Sequence, residues 1–399
     1  MAKRICPHCY TPFELKDILF RCSNPDCVSR RDDRLSELLG EDRILHPVVP
    51  AKKKLFGAPE FGICPECHQK TYKMICPHCH SQVPPHMVKD GGKIISIIGA
   101  QSAGKTVFVS VLIEELRRYV RKLHNDLGVM PSAIADTVEE STQYRYNEEL
   151  YGPIYRDKMT PQPTERREGK KRPPFIFEMT QKNQPSVFLV FYDNAGESFH
   201  SVVDMGPDAK YLVHSDAFIC LIDVMQIEEV RNKLNISDAT FKMHNPDFGF
   251  VPNNIIQYCQ NDAGLANANI LRKPMAIVFN KFDRIYNNAS VFNMQDVPGI
   301  GKNRTDSYFK QKGANGVKRS DFDQVHDGIL EFLKEECGPV SDNFISNINN
   351  GFENYKFFGT SPLGDEPVDG AIGNLNPFRV LDPLVWCLDE LGYKLNIVD

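Results

Sequence analysis

A chain of 399 residues, 41% hydrophobic and 25% charged with a formal net charge of −5, has the composition of a folded globular protein, with length for two or three domains. No run reaches the ~18 apolar residues of a membrane span, and the amino-terminal MAKRICPHCY lacks the apolar core of a secretory signal. Membrane, secreted and disordered classes are excluded, no basic excess advertises nucleic acid, and the chain reads as cytoplasmic.

Residues 1–87 are expected to form a double zinc-ribbon region. Eight of the twelve cysteines fall there in four close pairs: Cys6/Cys9, Cys22/Cys27, Cys64/Cys67 and Cys76/Cys79. Without an export signal, clustered pairs favour metal over disulfides. Tetrahedral zinc takes four thiolates, which two knuckles supply. Twelve residues separate the first two pairs and eight the last two. Sequential pairing, with Cys6, Cys9, Cys22 and Cys27 on one metal and Cys64, Cys67, Cys76 and Cys79 on the other, therefore closes short loops and is the expected arrangement. Outer pairs on one metal and inner pairs on the other is the alternative the sequence leaves open. His8, His68, His78 and His80 are surplus to four-thiolate sites. Through residue 90 there are fourteen Lys and Arg against eleven Asp and Glu. Eight thiolates on two divalent ions turn that small excess slightly negative, so protein docking is favoured over nucleic-acid binding. The remaining Cys220, Cys259, Cys337 and Cys387 have apolar neighbours and read as buried thiols.

Residues 88–399 read as an α/β domain: a mostly parallel sheet flanked by helices, enlarged by insertions. The run KIISIIG predicts a strand, GAQSAGKT a glycine-rich loop, and TVFVSVLIEELRRYVRKLHNDLG a helix. Strand, loop and helix in that order are what a phosphate-binding P-loop requires. Backbone N–H groups from Gly99, Ala100, Gln101, Ser102, Ala103 and Gly104 through Val107 would surround phosphate oxygens. Lys105 would bridge the β- and γ-phosphates, and the Thr106 hydroxyl would hold Mg²⁺. The segment TERREGKKRPP, with Arg166 and Arg167, then reads as a solvated, mobile loop. Strands are predicted at PFIFEMTQ and at SVFLVFYD, the latter ending in Asp193-Asn194-Ala195-Gly196-Glu197, and next at DAFICLIDV. A helix at IQYCQNDAGLANANIL precedes the strand PMAIVFNKFD. That strand ends in Asn280-Lys281-Phe282-Asp283. A carboxylate at Asp283 can accept hydrogen bonds from both N1–H and the exocyclic amine of guanine, a donor pair adenine lacks. Residues 284–318, rich in Asn, Gly and Lys, are expected to be a mobile loop. A helix at DFDQVHDGILEFLKEEC, the strand NYKFFGTS running into Ser361-Pro362-Leu363-Gly364, and the helix RVLDPLVWCLDELGY complete the chain. Asp223 reads as an ordinary strand-end carboxylate and Trp386 as a core aromatic.

The order of P-loop, Asp-x-x-Gly, Asn-Lys-x-Asp and TSPLG over residues 93–399 resembles the translation-factor and Ras-like GTPases. With its zinc-ribbon front end, the chain is also similar to the bacterial double-GTPases found with conflict and defence gene clusters. The resemblance implies GTP and GDP as ligands, Mg²⁺ and two Zn²⁺ as metals, and a protein effector. It implies that Asp193 orders Mg²⁺ through water, that the Gly196 amide senses the γ-phosphate, and that Asn280, Lys281 and Asp283 hold the base. Glu197 stands where a Gln often positions the attacking water, so hydrolysis without a partner is expected to be slow. Thr160 and Thr164 are both candidates for the first-switch threonine that completes the Mg²⁺ shell, and Thr164 is preferred. Ser361, Pro362 and Leu363 match the last guanine motif. Pro362 has no N–H to offer the base, so Leu363 must substitute or the loop must shift. A GTP-hydrolysing switch is the expected function; a nucleotide-loaded scaffold with little hydrolysis is the alternative.

Overall fold

The computed structural model describes residues 3–52, 57, 59–100, 102–162, 172–192, 210–237, 247–261, 269–294 and 299–399. Its main framework is a seven-stranded, mostly parallel sheet flanked by helices. In chain order the strands are β1 (Lys93–Gly99), β2 (Gly128–Pro131), β3 (Phe175–Thr180), β4 (Val187–Phe191), β5 (Ala217–Asp223), β6 (Met275–Asn280) and β7 (Tyr355–Thr360). Their order across the sheet is β2-β3-β4-β1-β5-β6-β7. Six of the seven coincide with runs expected from the sequence. Strands such as AFICLID, buried along their whole length, read as unbroken apolar runs because helices cover both faces of a parallel sheet.

By packing, the chain divides into two compact units: residues 1–94, 130–147 and 163–194 form one, and residues 95–129, 148–162 and 195–399 the other.

In the first unit the cysteine region is built on a three-stranded antiparallel sheet of Val48–Pro50, Leu19–Arg21 and Lys73–Ile75. Leu19 lies opposite both Pro50 and Ile75. Phe20, Val49 and Met74 from these strands share one small core with Ile18, Val83 and six of the cysteines. The buried Arg21 pairs with Asp32 at 2.8 Å and donates to the carbonyls of His46 and His80 at 3.1 Å each. An antiparallel hairpin of β3 and β4, with Phe175 opposite Phe191, belongs to the same unit.

In the second unit β5 pairs in parallel with β1 and β6, and β6 with β7. The register places Asp223 opposite Asn280 and Asn280 opposite Thr360. Three polar residues therefore stand side by side at the carboxyl ends of neighbouring parallel strands, where open α/β sheets bind ligands. Helix α1 (Lys105–Leu123) follows β1 and buries Phe108, Val109, Leu112 and Leu116, one apolar stripe at helical spacing. The longer helices α2 (Phe250–Asn261), α3 (Arg319–Glu336), α4 (Gly338–Gly351) and α5 (Asp382–Glu390) belong to the same unit. Helix α4 was not expected, because GPVSDNFISNINNG is composed of turn formers. It persists because Phe344 enters an aromatic cluster, with ring centroids 4.9 Å from Phe248, 6.1 Å from Phe279 and 6.0 Å from Phe357. Burying one such ring contributes about 2 kcal/mol, more than the propensity deficit of a few such positions.

The expectation of a mobile loop over residues 284–318 is corrected. Phe292, Met294, Ile300, Phe309 and Val317 are buried. Ser307 donates to Asp382 at 2.5 Å, and the buried Arg379 joins Asp321, Asp382 and the Thr305 carbonyl. The described residues of the segment, short helical turns at Asp283–Tyr286 and Tyr308–Lys310 included, are anchored, which the polar composition concealed. Cys220, Cys259, Cys337 and Cys387 are buried as expected, and Trp386 packs against Phe358 in the core.

Candidate nucleotide site and metal centres

The eight clustered cysteines gather into two tetrads, but not in sequence order. One centre holds Cys6, Cys9, Cys76 and Cys79; the other holds Cys22, Cys27, Cys64 and Cys67. The expected sequential pairing is therefore replaced by a nested one. Its cause is the antiparallel pairing of Leu19–Arg21 with Lys73–Ile75. The first strand leads into Cys22 and the second into Cys76, so the chain doubles back and the outermost knuckles meet. The residue after the second cysteine of each CxxC (Tyr10, His68 and His80) takes a left-handed backbone with φ of 52°, 58° and 60°. Its N–H then returns to the carbonyl of the first cysteine, at 2.9, 2.9 and 3.1 Å respectively. Cross-pair sulfur separations are 3.7 Å (Cys6–Cys79), 3.8 Å (Cys9–Cys76), 3.6 Å (Cys22–Cys67) and 3.8 Å (Cys27–Cys64). Four thiolates on a tetrahedron with metal–sulfur bonds of about 2.3 Å stand about 3.8 Å apart, so both tetrads fit zinc. The N–H groups of His8 and His78 point at Cys6 Sγ and Cys76 Sγ, at 3.4 and 3.3 Å, where they would stabilise thiolate charge. None of the four surplus histidines joins a tetrad: His80 contacts Asp32 at 2.8 Å and His78 contacts the Pro12 carbonyl at 3.2 Å.

In the second unit, Gly99 ends β1 and Lys105 opens α1. Between them Ser102 and Gly104 have φ of 63° and 81°, which closes the loop within five residues. The buried Lys105 ammonium donates to the carbonyls of Gly99 (2.9 Å) and Ala100 (2.7 Å), drawing it over the loop. The Asn280 amide donates to the Ala103 carbonyl at 2.8 Å and accepts from the Thr360 hydroxyl at 3.2 Å. Lys281, itself at φ 60°, reaches the Ser102 carbonyl at 3.3 Å and Asp223 at 2.6 Å. Strand ends β5, β6 and β7 thus brace the loop after β1. A Cβ at Gly104 would lie 2.7 Å from Asn280 Nδ2, so this position tolerates only glycine while that brace is in place.

Asp283 is buried and accepts from the Ser361 hydroxyl at 2.6 Å. Burial pushes its carboxyl above the usual carboxylate range, the Ser361 hydrogen bond only partly opposing it. Ser361 also accepts from the Gly364 N–H at 2.9 Å, and Tyr286 donates to the Gly364 carbonyl at 3.2 Å. Pro362 is buried, and the Leu363 carbonyl accepts from the Asn376 N–H at 3.0 Å. The structure therefore brings Gly99, Ala100, Ser102, Ala103, Gly104, Lys105, Asn280, Lys281, Asp283 and Ser361 into one constellation. Thr106 and Val107 occupy the first turn of α1. Gln101, Thr164, Asp193, Gly196 and Glu197 lie outside the described residues. Thr160 is described: its N–H donates to the Gly370 carbonyl at 2.8 Å, beside a bridge between Met159 and Ala371. Asp223, read from the sequence as an ordinary strand-end carboxylate, and Thr360, read as the first residue of TSPLG, were given no role in bracing this site. The available signal was that each closes an apolar strand run, as Asn280 does.

The Double-GTPase 2 family matches residues 93–284. SaeC of Mycolicibacterium smegmatis, a protein named for ESX-1 scaffolding and assembly, is 22% identical over 361 residues, covering 87% of this chain and 84% of SaeC. Among solved structures, the Saccharomyces cerevisiae Ski7 GTPase-like domain bound to GTP matches at 12% identity and a TM-score of 0.31, over 75% of this chain. The same domain bound to GDP and inorganic phosphate matches at 11% and 0.32, also over 75%. This chain spans half the length of either Ski7 chain. The SRb-GTP/SRX complex of Chaetomium thermophilum, a signal recognition particle receptor, matches at 13% identity and a TM-score of 0.28, over 70% of this chain and 94% of that one.

Proposed function

From the match of residues 93–284 to the Double-GTPase 2 family, we propose that this chain is a GTP-binding switch that hydrolyses GTP slowly by itself and alters its contacts with a protein partner as it does so. The observation that carries the reading is Asp283. It is a buried carboxylate with a raised pKa, oriented by Ser361, on a turn whose Asn280 and Lys281 brace the phosphate loop. A buried acceptor of this kind is costly unless donors meet it, and guanine supplies two. Lys105 would exchange the Gly99 and Ala100 carbonyls for β- and γ-phosphate oxygens. Thr106, Asp193 and Thr164 would hold Mg²⁺, and Glu197 would orient the attacking water. Two zinc ions would fill the tetrads, giving the cysteine region a rigid surface for docking.

The relative named for scaffolding and assembly supports a protein assembly as the partner, in preference to nucleic acid. The resemblance to conflict-associated double-GTPases points instead to a defence setting, and mass spectrometry of proteins cross-linked to the GTP-loaded chain separates the two. The same relative's name favours a second reading, a scaffold whose nucleotide is structural. No helix among the described residues is long and apolar enough to cross a membrane.

Phosphate release from GTP by zinc-replete protein decides between switch and scaffold. Steady turnover supports the switch, and a stable, unhydrolysed GTP or GDP complex supports the scaffold. Equal affinity for GTP and ATP would remove the guanine reading altogether. Glu197→Ala is expected to keep GTP affinity and lose about 10²-fold in turnover, the scale of a lost positioning group. Gly104→Ala is expected to weaken fluorescent GTP-analogue binding by about tenfold or more while circular dichroism stays native, because the new methyl displaces Asn280.

A further inference from the structure

A second layer of residues, from 304–310 and 377–379, packs against the turn that carries Asp283. Ser361, whose hydroxyl holds Asp283, exchanges two backbone bonds with Phe378: its N–H donates at 3.1 Å and its carbonyl accepts at 2.8 Å. The pair is an isolated bridge outside the strands of the sheet. One such bridge barely offsets the entropy of ordering the residues that make it. What keeps Phe378 in place lies on either side of it. The Pro377 carbonyl accepts from the Lys310 ammonium at 2.7 Å, and that ammonium also pairs with Glu115 of α1 at 3.1 Å and with Asp306 at 2.6 Å. Arg379 is buried, and its guanidinium forks onto the two Asp321 oxygens at 2.8 and 3.0 Å. It also reaches Asp382 at 2.8 Å and the Thr305 carbonyl at 3.0 Å. The ring of Tyr286, on the helical turn opened by Asp283, meets Phe378 edge-on with centroids 5.3 Å apart. The Arg304 guanidinium stacks 3.5 Å from the Tyr286 centroid and 5.4 Å from that of Phe378.

We propose that Arg304, Lys310 and Arg379 are positioning residues for base selection, holding Pro377–Arg379 against Ser361 and so fixing the plane in which Asp283 meets guanine. The inference rests on the guanine-binding reading given above. Guanine presents N1–H and its exocyclic amine in one plane. A carboxylate meets both only when its own plane is set, and a small tilt keeps one bond while losing the other. Ser361 sets that plane, and the brace sets Ser361. Loosening the brace therefore costs GTP more than inosine triphosphate, which has the N1–H and lacks the amine.

The test titrates the full, zinc-loaded chain with GTP, inosine triphosphate and ATP in competition against a fluorescent guanine nucleotide. Wild type is expected to prefer GTP over inosine triphosphate by about tenfold or more, because the analogue leaves part of a buried acceptor unmet. Arg304→Ala changes a half-buried position. Asp321→Asn keeps the shape of the Arg379 partner and removes its charge. Both are expected to narrow the preference to within about threefold, the mark of a displaced positioning group. A merely destabilised chain loses both nucleotides in proportion and keeps the ratio. Circular dichroism identifies the variants that retain the native fold, and a folded variant with the wild-type ratio overturns the positioning role. Wild-type protein that prefers GTP over ATP yet binds inosine triphosphate equally well overturns the inference whether or not the variants fold. Equal wild-type affinity for GTP and ATP overturns the guanine reading instead.

Discussion

Asp283→Asn is expected to weaken GTP binding by about 10²-fold or more and to raise affinity for xanthosine triphosphate, measured by competition against a fluorescent guanine nucleotide. The substitution replaces an acceptor of two hydrogen bonds with an amide that presents an N–H to guanine's own N–H. Xanthine carries a carbonyl where guanine carries its amine, and so suits the amide. The surroundings make the effect large: the carboxylate is buried and Ser361 holds one oxygen at 2.6 Å, so solvent cannot take over from the base. A second consequence has the opposite sign. Burial raises the Asp283 pKa in the folded protein, so the folded state binds its proton more tightly than the unfolded chain does. The stability this contributes is present below the ordinary carboxylate pKa and is lost as pH rises through the folded value. Nucleotide-free Asp283→Asn is therefore expected to melt higher than wild type at neutral pH, and the gap should close in acid. A variant that binds GTP normally would dismiss Asp283 as the base-reading group.

Cys76→Ser is expected to lose both zinc ions and to leave well under one per chain by elemental analysis, where wild type carries about two. Independent ribbons would keep one. The nested tetrads do not allow that separation, because the strand Lys73–Ile75 feeds Cys76 of the outer centre and pairs with Leu19–Arg21, which feeds Cys22 of the inner one. Phe20, Val49 and Met74 serve both centres as one core. A structural zinc site contributes about 10–16 kcal/mol of binding energy that is also folding energy. The protein interior around these tetrads is too small to hold its shape once one site is gone. Retention of one tightly held zinc by the variant would mean that each tetrad folds alone.

The strands were legible wherever burial on both faces wrote an unbroken apolar run, as in AFICLID and MAIVFN, and the P-loop was legible because its chemistry is confined to eight consecutive residues. What escaped reading depends on partners distant in sequence. The cysteine pairing is decided by which strands align, and spacing between neighbouring pairs carries no trace of it. Asp223 and Thr360 take their bracing role from register against Asn280, a relation among residues 57 and 80 positions apart. Helix α4 and the anchored segment 284–318 were hidden by polar, turn-rich composition. Their few apolar side chains, Phe344, Phe292 and Phe309 among them, suffice because each meets a prepared partner in the core.

The nested arrangement of the tetrads also sets a schedule for the growing chain. At synthesis rates of about 5–20 residues per second, Cys6 and Cys9 leave the ribosome several seconds before Cys76 and Cys79 can join them. The four thiols of the inner tetrad have emerged once Cys67 has, but Lys73–Ile75 must follow before the shared core can hold either metal. Until then the first knuckle is an open dithiol, exposed to oxidants and to foreign ions. A nascent chain stalled between Cys67 and Cys76 would accordingly hold no zinc firmly, and pulse alkylation of ribosome-bound chains would catch Cys6 and Cys9 together with the inner thiols.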